Sequence, residues 1–159
     1  MRALIVSDTH GYDKNLVNLL KRVGNLDALI HCGDGEGHEG YFTQLVDCPL
    51  YMVRGNNDFF SDLEREMEFE IGGYKILLTH GHYYGVSMGP GYIMEEGISR
   101  GVDIVMYGHT HRPELIRTEA ITVLNPGSIS YPRQEGRKPT YILMEIDKKN
   151  NLNFFINYC

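Results

Sequence analysis

Val105-Met106-Tyr107-Gly108-His109-Thr110-His111 is an apolar run that stops at a glycine and hands over to two histidines at i and i+2. In an extended segment such side chains point the same way. Two imidazoles projecting together from a strand end are placed to ligate a metal ion. Working outward, other apolar runs end alike. Residues 4–7 lead into Asp8-Thr9-His10, residues 29–32 into Gly33-Asp34, residues 51–54 into Gly55-Asn56-Asn57-Asp58, and residues 76–79 into His80-Gly81-His82. Each run delivers oxygen or nitrogen ligands at its carboxyl end, and open α/β sheets collect ligands beyond that end.

Around these runs, strands and helices alternate at first. Residues 2–7, 28–32 and 49–54 read as buried strands. Between the first two, Leu16, Leu19, Leu20 and Val23 follow helical spacing, with Asp13 as cap and Gly24 as stop. His38, Tyr41, Phe42 and Leu45 predict a short second helix. Strands separated by helices imply parallel βαβ units. Residues 67–71 and 74–79 then flank Gly72-Gly73, a hairpin signal. A glycine-rich loop over residues 85–91 precedes a helix over 92–100, and residues 103–107 form another strand. Residues 114–118, 121–124, 140–146 and 152–158 read as β, with a polar turn at 148–151. The expected fold is α/β, two packed mixed β-sheets flanked by helices, forming one domain over residues 1–159.

Composition removes several function classes. Cysteines number 3 (Cys32, Cys48 and Cys159), an odd count without a CxxC pair. That argues for reduced thiols and a cytoplasmic protein. No apolar run reaches membrane-spanning length, and the first residues lack a signal-peptide core, so no membrane partner is expected. A net charge of −6 with scattered Lys and Arg argues against extended nucleic-acid binding. A small phosphate-ester substrate held by cations remains compatible. A homo-oligomer stays open.

The strand-end residues Asp8, His10, Asp34, Asn56, His80, His109 and His111 exceed what one ion needs. Two ions sharing one carboxylate would use them. Carboxylate, amide oxygen and imidazole without thiolate suit Mn, Zn, Fe, Co or Ni better than Ca or Mg alone. Paired ions lower the pKa of bound water and neutralise phosphoryl oxygens, the usual apparatus for phosphate-ester hydrolysis.

Asp8-x-His10, Gly33-Asp34, Gly55-Asn56-x-Asp58, His80-Gly81 and Gly108-His109-x-His111, in that order, resemble the calcineurin-like metallophosphoesterase superfamily. The short length and the Asn125-Pro126-Gly127-Ser128 and Pro132-Arg133 segments resemble its small YfcE-like phosphodiesterase branch, whose fold the retromer subunit Vps29 shares. The resemblance implies a four-layer α/β sandwich and two divalent ions, manganese foremost. It implies Asp8, His10 and His111 on the first ion, Asn56, His80 and His109 on the second, and Asp34 bridging both. It also implies attack by a metal-bridging hydroxide. One position departs from the family pattern. Where many members have His in Gly-Asn-His-Asp, this chain has Asn57, which cannot act as a general acid. His82 is the nearest replacement by sequence.

Other residues carry plainer readings. His31 reads as a packed core histidine, His38 as surface, and Asp58 as orienting a neighbour. The 125–128 segment reads as a structural turn, or as one that holds the ligand loops or presents backbone N–H groups to phosphate. Tyr83 and Tyr84 flank the site and are expected to line a substrate pocket, and the acidic stretch 62–70 reads as solvated. Two functions follow: a metal-dependent phosphodiesterase, or a Vps29-like interaction module with little or no catalysis. The complete ligand set favours the enzyme.

Overall fold

The computed structural model describes residues 1–159. Its elements run β1 (Arg2–Val6), α1 (Lys14–Val23), β2 (Ala28–His31), α2 (Glu39–Gln44), β3 (Leu50–Met52), β4 (Glu66–Ile71), β5 (Tyr74–Thr79), α3 (Gly91–Arg100), β6 (Ile104–Met106), β7 (Pro113–Arg117), β8 (Thr122–Pro126), β9 (Thr140–Ile146) and β10 (Leu152–Tyr158). Two five-stranded sheets result, ordered β10-β9-β1-β2-β3 and β4-β5-β6-β8-β7. Both are mixed. β1, β2 and β3 are parallel to one another, as are β5, β6 and β8, and antiparallel strands complete each sheet.

Alternation along the strands builds the layers. Ala3, Ile5, Ala28 and Ile30 of one sheet meet Ile76, Leu78, Ile104 and Met106 of the other in the central core. Leu4, Val6 and Leu29 turn outward onto Leu16 and Leu19 of α1 and Phe42 of α2. Leu77, Val105 and Val123 turn outward onto Ile93 of α3. The central strands are covered on both faces, which is why they read as continuous apolar runs rather than alternating ones. The architecture is helix, sheet, sheet, helix, as the sequence implied.

Gly72 and Gly73 close the β4–β5 hairpin with φ of 58° and 83°, left-handed values that glycine adopts without steric cost. Three details differ from expectation. The 85–91 loop contains a 3₁₀ turn, Val86–Met88, and a second 3₁₀ turn, His82–Tyr84, precedes it. β8 runs on through Asn125 and Pro126, so these two end a strand. Asp13 sits at the start of α1, but its carboxylate bonds the His38 ring instead of a helix N–H. The cap is therefore used to join α1 to the start of α2. No helix is long and apolar enough to cross a membrane.

Candidate metal centre

The strand-end loops of both sheets converge. Asp8 Oδ1 lies 3.0 Å from His111 Nε2 and 3.7 Å from His10 Nε2, and these two imidazole nitrogens are 3.2 Å apart. Asp34 Oδ2 lies 3.7 Å from His10 Nε2 and 3.3 Å from His80 Nε2. Asn56 Oδ1 lies 3.1 Å from His80 Nε2 and 2.9 Å from His109 Nδ1. The seven residues expected from the sequence thus form one cluster, with Asp34 between its halves. Atoms bound to one ion at roughly 2.0–2.2 Å stand ~3.0–3.6 Å from each other in tetrahedral or octahedral arrangement. The observed spacings are of that size.

Each inner histidine is oriented from behind. His80 Nδ1 donates to the Cys32 carbonyl at 2.7 Å, His111 Nδ1 to the Tyr131 carbonyl at 2.6 Å, and His10 Nδ1 to Glu36 Oε1 at 2.8 Å. Each of these bonds puts a proton on Nδ1 and turns Nε2 inward, so His10 and His111 in their neutral forms, and His80 once its second proton is displaced, aim a lone pair at the centre. His10 and His111 then oppose bare lone pairs at 3.2 Å, and Asp8 Oδ1 is buried without a hydrogen-bond donor. Converging lone pairs and an orphaned carboxylate oxygen are an unfavourable arrangement that a cation relieves. The residues present therefore fit divalent ions.

Electrostatics agree. Burial opposes charge on Asp8, but the neighbouring His111 and His80 outweigh it and hold the carboxyl below its ordinary value. Burial opposes charge on Asp34 too, and His80 with both donors of Asn57 overcome it, keeping the group ionised. His80 shows the complement: burial disfavours its cation, yet Asp34 and Asp8 raise it to about 9. Burial, with the His80 and His109 charges, lowers His82 to about 4.

The backbone is unusual here. Asp8, His10, Asp34, Glu36, His109 and His111 all have φ between 48° and 69°. Non-glycine residues adopt this region at a cost of order 1–3 kcal/mol each. Such strain persists only where the surroundings fix it. Asp58 supplies much of the fixing: its Oδ2 accepts from the Asp34 and Gly55 N–H groups, and its Oδ1 from the Glu36 N–H. Gly55 is obligatory in this packing, because a Cβ there would lie 2.0 Å from Asp34 Oδ1. On the other side, Asn125 Nδ2 donates to the Gly108 carbonyl and Ser128 Oγ to the Asp8 carbonyl. The 125–128 segment is thus the brace for the ligand loops.

His31 is the packed core histidine expected. Its Nδ1 accepts the Gly33 N–H, its Nε2 faces Thr9 Oγ1 at 3.2 Å, and its ring stacks on Phe42. Asn57 turns inward: its backbone and side-chain amides donate to Asp34 Oδ1 and Oδ2 at 2.9 and 2.7 Å. His82 is half-buried beside His80 and His109 and lines a cavity of about 350 Å³ with Asn56 and Tyr83. Tyr84 does not line it. Its hydroxyl bonds Glu66, and Arg100 joins Glu66, Glu68 and Glu96, so the acidic stretch is partly structural rather than merely solvated. Sequence reasoning missed Glu36 and the orienting carbonyls of Cys32 and Tyr131. Backbone carbonyls leave no signature in sequence, and Glu36 was one carboxylate among many.

Comparison with known proteins follows the same line. The family model described as the calcineurin-like phosphoesterase superfamily domain matches residues 1–149. The probable metallophosphoesterase YsnB of Bacillus subtilis is 35% identical over 150 residues, spanning 92% of this chain and 85% of that protein. The phosphodiesterase YfcE of Escherichia coli K12 is 33% identical over 172 residues, spanning 92% of this chain and 89% of its own length. A crystal structure of a predicted phosphoesterase from Streptococcus pneumoniae superposes with a TM-score of 0.83 at 29% identity, covering 99% of this chain and 88% of that one. The order of the ligand blocks, their convergence on a centre suited to divalent ions, and these matches lead to one assignment: the chain belongs to the calcineurin-like phosphoesterase superfamily.

Proposed function

We propose that the protein is a dinuclear-metal phosphodiesterase. The observation that carries this reading is the position of Asp34, whose Oδ2 is within 3.7 Å of a ligand nitrogen from each half of the cluster. In this reading Asp8, His10 and His111 hold one ion, Asn56, His80 and His109 the other, and Asp34 both. When bound, paired ions of this kind lower the pKa of water and neutralise phosphoryl oxygens. The chain does the rest. Glu36 and the Cys32 and Tyr131 carbonyls fix the imidazoles so that no reorganisation is needed on binding. Asn57 holds Asp34 in place. His82 meets the substrate as a neutral ring that orients it by hydrogen bonding, since its cation is disfavoured.

The ligand chemistry admits manganese, zinc, iron, cobalt or nickel, and we assign manganese as the working metal. A diester substrate is supported by the likeness to YfcE, named a phosphodiesterase. The test is hydrolysis of bis-p-nitrophenyl phosphate with added Mn²⁺, in the wild type and in Asp34→Asn. The variant removes a charge both ions share. It is expected to bind less metal and to lose activity by orders of magnitude. Normal activity at full metal occupancy in Asp34→Asn would refute the bridging role. A Vps29-like scaffold without catalysis predicts no turnover by the wild type even at full metal occupancy.

A further inference from the structure

We infer that the cavity bounded by Arg54, Phe59, Arg65 and Tyr83 is a nucleobase subsite, which makes a nucleoside phosphodiester the substrate class. The inference rests on the phosphoesterase reading and sharpens it.

Phe59 is 77% exposed and Tyr83 62% exposed, yet both wall the same cavity as Asn56 and His82 of the metal centre. Their place in the chain explains this. Phe59 follows Asn56 by three residues and Tyr83 directly follows His82, so each ring is carried by a loop that also carries a site residue. Single exposed aromatics are ordinary, but two beside one functional cavity point to a ligand with flat faces. The Arg65 guanidinium lies over the Tyr83 ring, 4.9 Å from its centroid, so this wall already stacks a planar cation on an aromatic face, and the guanidinium's outer face and the Phe59 ring are what it offers a flat ligand.

The charges select among flat ligands. Neither Arg54 nor Arg65 has an acidic partner within ion-pair distance, although the chain carries a net charge of −6. Asp58, the carboxylate on this wall, is committed to three backbone N–H groups. Free guanidiniums disfavour a cationic headgroup and suit a ring whose edge is rich in acceptors. A nucleobase offers both, a π-face for the aromatics and acceptor edges for arginine. The cavity volume of about 350 Å³ accommodates one such group beside the metal centre, at the small end of ligand pockets. Stacking tolerates every base, so this pocket favours nucleosides as a class rather than one base.

The test separates the subsite from catalysis. Binding of AMP and of ribose 5-phosphate to the Mn²⁺-loaded protein is measured by calorimetry, for wild type and for Phe59→Ala/Tyr83→Ala. Both rings are largely exposed, so the double variant keeps its core, and an unchanged melting curve verifies that. AMP is expected to bind the wild type roughly ten- to hundredfold tighter than ribose 5-phosphate. The double variant is expected to lose most of that preference while binding ribose 5-phosphate as before. Equal binding of the two ligands by wild type, or a preference that survives in the variant, overturns the subsite. Hydrolysis of methyl p-nitrophenyl phosphate and of thymidine 5′-(p-nitrophenyl) phosphate completes it. Turnover of both at equal efficiency overturns the nucleoside assignment and leaves the phosphoesterase reading intact. An AMP preference without turnover of either ester keeps the base site and overturns the phosphoesterase reading.

Discussion

His31 never meets solvent, and its burial holds the ring neutral, with a pKa lowered to about 4. An unfolded histidine titrates near 6.5. The depressed native value means that the unfolded state takes up the proton first as pH falls. The neutral ring's contribution to stability is therefore whole above about 6.5 and is lost progressively down to about 4, by roughly 3 kcal/mol at ~1.4 kcal/mol per unit. Urea titrations between pH 7 and 4 on the wild type and His31→Gln check this. The wild type should lose more stability over that window, and parallel curves would show that the ring is not the group responsible. In the proposed reaction Asn57 bears on the leaving group instead. Leaving-group protonation matters for basic alkoxides and little for p-nitrophenolate. With Asn57 unable to give up a proton and His82 held neutral, the wild type should favour good leaving groups. Asn57→His removes the clamp on Asp34, which lowers every substrate by a common factor. It should nonetheless raise the alkyl-to-nitrophenyl ratio of kcat/KM, since a general acid is worth about 10²–10⁴-fold. His82→Ala should leave that ratio unchanged. A leaving-group series on the three proteins decides it, and a constant ratio throughout would mean that Asn57 acts only through Asp34.

At the scale of elements, what was legible depended on whether a residue's job is local. β1, β2, β5 and β6 are apolar on both faces because helices and the second sheet cover them, so their runs stand out, and the ligands directly after them stand out too. Gly72-Gly73 announced its hairpin because a two-residue turn needs left-handed backbone. Jobs done across the chain were hidden. Tyr83 and Tyr84 are neighbours, but the 3₁₀ turn His82–Tyr84 sends one toward Arg65 and the cavity and the other to Glu66. Asp13 carried a cap signature that His38, distant in sequence, took over. Ser128 is another such case. From the β8–β9 connection it donates to the Asp8 carbonyl and accepts the N–H groups of Ser130 and Tyr131, while the Tyr131 carbonyl orients His111. Ser128→Ala strands those buried groups at about 1–3 kcal/mol. At ~2–4 °C per kcal/mol the melting temperature should drop by roughly 2–12 °C. Because the same hydroxyl holds Asp8 and the carbonyl behind His111, metal affinity should fall about 10–100-fold, the usual effect of losing an orienting partner. Calorimetric metal titration of the folded variant checks this, and normal affinity would show that the ligand loops stand without the brace.

Across the whole molecule, the centre joins segments far apart in the chain. Asp8 and His10 follow β1, Asp34 follows β2, Asn56 follows β3, His80 follows β5, and His109 and His111 follow β6. The first three strands belong to one sheet and the last two to the other. Bound ions would therefore cross-link the two sheets at their ligand end, where six residues hold left-handed backbone and His10 and His111 turn lone pairs toward each other. A ligand that binds only the native state stabilises it by mass action, by about 2.7 kcal/mol at a hundredfold excess over Kd. For a chain of this size that is roughly 5–10 °C in Tm. Stripping the protein with EDTA, with loss of metal verified, should lower the Tm by that order, and Mn²⁺ or Zn²⁺ should restore it. Proton linkage gives the effect a pH dependence. His80 is raised to about 9 without metal, because Asp34 and Asp8 outweigh its burial, so an ion must displace its proton at neutral pH. Metal affinity should rise as pH increases from 6 toward 9, and the Tm increment at fixed Mn²⁺ should widen with it. Calorimetry in buffers of different ionisation enthalpy should detect the released proton. A Tm indifferent to verified metal loss would mean that the ions do not bridge the two sheets. An increment that stays flat with pH would show that His80 holds no proton for an ion to displace.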